Sequence, residues 1–282
     1  MISVHTSQKI AKTGLWIAGL FTVSILILVI GYIFFKGFHV INWEFLTSKP
    51  KKMGSQGGIF PSIVSTIYFT VMTLLIAVPI GVGAAIYLME YTREGKFTKI
   101  IRFGTEALAG IPSIVFGLFG FAFFVILLEP LTNGWSLISG ALTAATMILP
   151  TLVRTSEEAL KTVPVSYREG SLALGATKWQ TIIKVVLPSA IPGIITGVIL
   201  SIGRIVGETA ALMLTLGGSL RMPESVFDPA RTMSMHLYLV AMEVGTMEAT
   251  EKAFGTATVL IITIFIINTV ANQVMKRFIA KS

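Results

Sequence analysis

Apolar residues along the chain gather into six long runs, at about 14–36, 63–89, 105–128, 135–153, 190–213 and 254–275, and most charged residues lie between them. Each run is near the roughly 20 residues that carry an α-helix across the hydrocarbon of a bilayer. The pattern predicts an all-α integral membrane protein with six transmembrane helices. The first run is longer than the apolar core of a secretory leader, and no A-x-A-like site follows it before Lys36. It is expected to stay in place as a signal-anchor helix. Pro79 stands with Gly81 and Gly83 in the second run, and Pro112 with Gly110, Gly117 and Gly120 in the third. Small residues let helix backbones approach closely, and a proline kink needs a neighbour for the freed carbonyl. Plain helix packing and a pore lining both fit that spacing.

Three polar connections have their own patterns. In 37–62, Trp43 and Phe45 suit an interfacial aromatic belt, and the GSQGG stretch at 54–58 reads as a flexible joint. Within 214–252, residues 234–245 are apolar but too short to span, so a re-entrant or interfacial helix is expected. The segment from Arg154 to Leu187 carries helix signals. SYRE at 166–169 and TKWQ at 177–180 have capping-box spacing, and Gly175 is a stop residue. Two short helices hinged at Gly175-Ala176 are predicted. Leu172, Leu174 and Trp179 find no core of their own there, which points to docking of a soluble partner.

Composition agrees with the membrane reading: of 282 residues, 54% are hydrophobic and 13% charged. Cysteine is absent, and His5, His39 and His236 lack ligand spacing, so no metal site or cofactor is expected and the histidines should be satisfied or solvated. The net charge of +8 changes meaning once it is placed. Lys9, Lys12, Arg93, Lys96, Lys99, Arg102, Arg154, Lys161, Arg168, Lys178, Lys184, Lys276, Arg277 and Lys281 fall on one side, fourteen against seven on the other. Cytoplasmic connections carry the excess of Lys and Arg, so both termini are expected in the cytoplasm, with the chain multi-pass in the plasma (inner) membrane. Lys49, Lys51 and Lys52 on the outer side run against that bias. The charge thus reports topology and no nucleic-acid partner. No G-x-x-x-x-G-K-[ST] loop is present, so ATP hydrolysis by this chain is not expected.

The fifth run holds ionisable groups well inside it: Arg204 and Glu208 lie four residues apart, beside Thr209. On a continuous helix they share a face and can pair. Ionised groups at mid-bilayer cost about 2.5–3.5 kcal/mol on insertion scales, so they are expected to face protein or water. A structural pair is one reading. The other is a cationic station for an oxyanion, because guanidinium matches phosphate in bidentate geometry. Gly203 and Gly207 leave room beside it. Glu106, near the start of the third run, suits an interfacial carboxylate or a pathway group.

Glu169-Gly-Ser, three residues, Gly175, nine residues, then Val185-x-Leu187-Pro188 resembles the EAA loop of ABC importer permeases. Gly170 and Ser171 stand where that pattern has two alanines. The segments 57–70, 109–120, 204–212 and 231–239 are similar to phosphate-importer permeases, with GETAAL and HLYL nearer the PstA type than the PstC type. The resemblance implies a MetI-like type I importer fold, with a permease domain over 57–276 after 1–56 and before a short tail at 277–282. It implies that the 154–187 loop couples to an ATPase through Ser166, Glu169, Gly170, Ser171, Gly175, Trp179, Leu187 and Pro188. Arg204, Glu208 and Thr209 would line the pathway. The implied partners are a second permease of PstC type, two PstB-type ATPases, an external PstS-type phosphate-binding protein, and lipid. A permease for sulfate, molybdate or phosphonate, and a non-transporting scaffold that docks a regulator, remain alternatives.

Overall fold

The computed structural model describes residues 4–92, 95–243 and 246–279. Of the charges used for topology, Arg93, Glu94 and Lys281 lie outside the described residues, as do Val244 and Gly245 of the short apolar segment. The helices in chain order are α1 Val4–Gly37, α2 Trp43–Thr47, α3 Phe60–Ile86, α4 Lys96–Ala109, α5 Ser113–Gly120, α6 Glu129–Thr132 and α7 Leu137–Thr162. After these come α8 Val165–Ala173, α9 Lys178–Thr181, α10 Leu187–Val206, α11 Ala210–Thr215, α12 Met233–Glu243 and α13 Met247–Ile279. Strands β1 Pro50–Lys51 and β2 Gln56–Gly57 form one small antiparallel hairpin.

Among the described residues, five helical segments are long and apolar enough to cross a membrane, and α4 with the α5 segment makes a sixth as a bent pair. The third apolar run is therefore broken, and more sharply than a proline kink within one helix. Its two arms meet at 104°. The cause is local: Pro112 lacks an N–H and disfavours helical backbone at Ile111, so α4 stops at Ala109 and a new helix starts at Ser113. α4 is amphipathic, with Phe97, Ile100 and Phe103 exposed and Thr98 buried.

α7 is the central post. Two-thirds of its most apolar stretch is buried within the chain, whereas that of α1 is not buried at all. Gly81 of α3 packs on Leu152, while Gly193 and Gly197 of α10 pack on Ala159 and Thr155. Further along α3, Ala85 falls in one cluster with Ala159 and Leu160, so α3 runs parallel to α7 and α10 antiparallel. Gly117 lies against Ala211, and Gly120 against Thr143. Helix packing accounts for these glycines. α1 packs on α13 through an edge-to-face contact of Tyr32 with Phe254 and a bond from Thr258 Oγ1 to the Ile33 carbonyl at 3.2 Å.

The connections differ from expectation at Phe45, in the 54–58 stretch and at His236. Phe45 is 1% exposed and belongs to the core, whereas Trp43 is 80% exposed. Asn42 caps α2 by accepting from Phe45 N, which turns Phe45 inward. The stretch at 54–58 is no loose joint: Gly54 and Gly57, at φ +102° and +80°, shape the β-hairpin, and Gly54 sits close against the ring of His236. α12 is short as expected, and its buried Met233, Met235, His236 and Val240 favour the re-entrant of the two expected forms. Neither ring nitrogen of His236 has a hydrogen-bond partner among the described residues, and the ring is fully buried, so this histidine is neither satisfied there nor solvated. Burial, with the charge of Arg231 adding to it, pushes His236 down to about 4, leaving a neutral ring at neutral pH. His39 is exposed, as expected.

Candidate functional site

The functional residues fall into two groups, a hairpin at one end of the bundle and a helix break toward the other. The hairpin begins where α7 ends. α7 continues through Thr162, beyond the expected end of the fourth span, and Pro164 opens α8 directly. Ser166 is consequently not a cap: it sits inside the first turn of α8, exposed, and the capping box with Glu169 does not form. Pro164 stands at the N-cap instead, and its carbonyl accepts from Tyr167 N at 3.1 Å. The stop is as expected. Gly175, at φ +83°, ends α8 with the amide of Ala176 donating to Ser171 O at 3.2 Å and that of Gly175 to Leu172 O at 3.0 Å. These are the two bonds of a Schellman ending.

The second capping box does form. Thr177 Oγ1 accepts from Gln180 N at 3.2 Å, and Gln180 Oε1 accepts from Thr177 N at 2.9 Å. α9 is not a separate short helix, however. Through a wide turn at 182–186 it runs on into α10, giving one apolar helical segment from Lys178 to Val206. Pro188 has no N–H to give, and the wide turn lies just before it. Leu187 and Pro188 are half-buried at that junction. The two arms are tied by Ser171 Oγ and Thr181 Oγ1 at 2.9 Å. α8 has no buried residue, and Val165, Tyr167, Leu172, Leu174 and Trp179 leave an apolar tip, Leu174 being 90% exposed.

Gly170 faces open space, with no atom within 4 Å of where a Cβ would stand. Gly170→Ala is therefore expected to raise thermal stability by about 0.5–1 kcal/mol, because glycine is unfavourable within a helix. A melting comparison of the two purified chains checks this, and a fall in melting temperature would contradict it.

Arg168 was missed as a site residue. Its Nε donates to Glu90 Oε1 at 3.1 Å, its Nη1 to Val163 O at 2.7 Å and its Nη2 to Leu160 O at 2.9 Å. Nothing local signals a partner 78 residues away. Glu106 is exposed and lines a cleft of about 340 Å³ between α4 and α7, beside the Arg102–Glu157 pair at 3.5 Å and Arg154–Glu158 at 3.3 Å.

The second group departs most from expectation. α10 ends at Val206, and Gly207, Glu208 and Thr209 break the fifth span before α11. Arg204 and Glu208 are thus not on one continuous helix, and no ion pair joins them among the described residues. Glu208 turns the other way. Its Oε1 accepts from Ala211 N at 3.1 Å, where a carboxylate also complements the helix dipole, and its backbone carbonyl accepts from Ser234 Oγ at 2.6 Å. Thr209 starts α11 through its carbonyl, which accepts from Met213 N at 3.0 Å. Arg204, in the last turn of α10, is exposed and makes no hydrogen bond or ion pair among the described residues. It lies about 26 Å along the axis from Leu187. Pro192, Thr196, Leu200, Gly203 and Gly207 form an exposed stripe leading to it. A free guanidinium on an apolar helix must meet water or another protein surface, since lipid does not accommodate it. Among the described residues no group of acidic or histidine side chains is placed to hold a metal.

Residues 77–281 match the family described as the inner membrane component of binding-protein-dependent transport systems. The chain belongs to this family. Relatives of this permease include a probable ABC transporter permease protein, YqgI, of Bacillus subtilis, 35% identical over 94% of both chains. The phosphate transport system permease protein PstA 1 of Mycobacterium tuberculosis is 36% identical over 79% of this chain and 72% of its own length. PstA of Pasteurella multocida is 41% identical over 64% of this chain and 63% of its own. In fold, the permease is similar to a bacterial alginate ABC transporter chain, with TM-score 0.66 and 15% identity over 96% of this chain and 97% of that one. A chain of the MetNI methionine transporter gives TM-score 0.58 at 18% identity, over 78% of this chain and 94% of the other. The fold is that of a MetI-type importer permease, all-α and multi-pass.

Proposed function

We propose that this permease is one half of the translocation pathway of an ATP-driven phosphate importer, of the PstA type. ATP hydrolysis is assigned to separate ATPase subunits, and the pathway is completed by a second permease of PstC type. A PstS-type protein would deliver phosphate from outside. The 164–187 hairpin then faces the cytoplasm together with both chain termini, in keeping with the distribution of Lys and Arg. The observation that carries the reading is Arg204. It is an exposed guanidinium, unpaired among the described residues, at a helix break in a membrane chain, and it suits an oxyanion. The identity to proteins named as phosphate permeases supports phosphate among the oxyanions. Holding Glu208 on α11 leaves Arg204 available to the anion.

Transport is expected to proceed by alternating access. Closure of the ATPases draws the hairpins together, and the helices fused or bonded to them open the pathway outward. The test is co-expression with the ATPase, second permease and binding protein. Labelled phosphate uptake should resist excess sulfate, molybdate and phosphonate. Equal competition by sulfate or molybdate would assign another oxyanion. A chain that neither co-purifies with the ATPase nor stimulates it would be a scaffold.

A further inference from the structure

The coupling hairpin is joined to the membrane bundle in two unlike ways. Its second arm is covalently continuous with α10. Its first arm, α8, has no fully buried residue, and it follows α7 across the short link at Val163-Pro164. One side chain of α8 reaches back. The guanidinium of Arg168 takes the carbonyls of Leu160 and Val163, which close the end of α7. The same group meets Glu90, in the wide turn that ends α3, with Nη2 to Oε1 at 3.0 Å. Both side chains are largely withdrawn from solvent, 20% and 11% exposed. Lys178 adds a weaker touch on that turn, its Nζ 5.0 Å from the Tyr91 ring centroid.

We infer that Arg168 is a positioning residue that carries motion of α8 to α3 and α7, so that the hairpin drives three spanning helices and not α10 alone. This rests on the proposed docking of the hairpin to an ATPase. The chemistry favours arginine. A planar fork serves two carbonyls and a carboxylate at once, which a lysine ammonium on a flexible stem does not. Breaking a largely buried pair leaves its partner charge uncompensated, so the contact resists parting under load. A residue that only capped α7 would affect assembly and both activities in proportion. A transmitting residue changes the ratio between them.

The experiment reconstitutes the complete complex in proteoliposomes with Arg168→Gln, Arg168→Lys and Glu90→Gln. Phosphate moved per ATP hydrolysed is measured on complexes of equal subunit composition. Arg168→Gln is expected to retain hydrolysis while lowering that ratio about tenfold, within the usual range of coupling between sites. Arg168→Lys should recover part of it, and Glu90→Gln should add little on top of Arg168→Gln. An unchanged ratio, or uptake and hydrolysis falling together, overturns the inference. If the wild-type complex moves no phosphate, the functional reading fails and a second readout still decides on Arg168. Spin labels at Ser166 and Leu75, the latter exposed on α3, should keep a narrow distance distribution with and without ATP. Arg168→Gln should broaden it; an unchanged distribution overturns the inference.

Discussion

Arg204→Gln should lower phosphate uptake by roughly ten- to a hundredfold in complexes that assemble in normal amounts. The size follows from loss of a charge-assisted contact to the anion, about 1.5–3 kcal/mol. The structure gives a reason to expect little effect on folding, because Arg204 is exposed and makes no hydrogen bond or ion pair among the described residues. Arg204→Lys keeps the charge but loses the fork, so partial uptake is expected. Glu208→Gln should act mainly on α11, whose first amides its carboxylate serves. Its effect on uptake is expected to be smaller than that of Arg204→Gln. Normal uptake by Arg204→Gln in a correctly assembled complex would remove Arg204 from the pathway.

The second large effect is expected at the hairpin tip. Leu174 and Trp179 are 90% and 60% exposed, on a hairpin whose own fold does not need them. Buried aromatic and apolar anchors at an interface typically cost about 2 kcal/mol or more when lost. Placing a carboxylate there, as Trp179→Asp or Leu174→Asp, should weaken ATPase association by roughly thirtyfold or more on that scale. Co-purification and stimulated ATP hydrolysis should fall together while the permease pair stays intact. Retention of the ATPase at wild-type level would show that the tip is not its docking surface.

Where a structural feature is set by neighbouring residues, the chain declared it. Gly175 and the Thr177–Gln180 box specify the hairpin by bonds spanning a few residues, and both form. Ser166 misled because Pro164, two positions earlier, begins the helix first. Periodicity also failed at 207–209, where an apolar pattern continues across a backbone that does not. The glycine and the capping carboxylate were in view, but the bond from Ser234 that helps hold the break comes from α12. Phe45 and Trp43 are alike in the sequence, and only packing decides which one is buried. Arg168 was invisible as a site residue for the same reason, since its partner Glu90 stands at the end of a different span.

The measurement closest to the central claim is ATP-dependent accumulation of labelled phosphate by proteoliposomes holding this permease, its partner permease and the ATPases, supplied with the binding protein. Accumulation that requires ATP, this chain and the binding protein, and that excess sulfate does not suppress, is the expected result. ATP hydrolysis by a fully assembled complex with no movement of phosphate would contradict it.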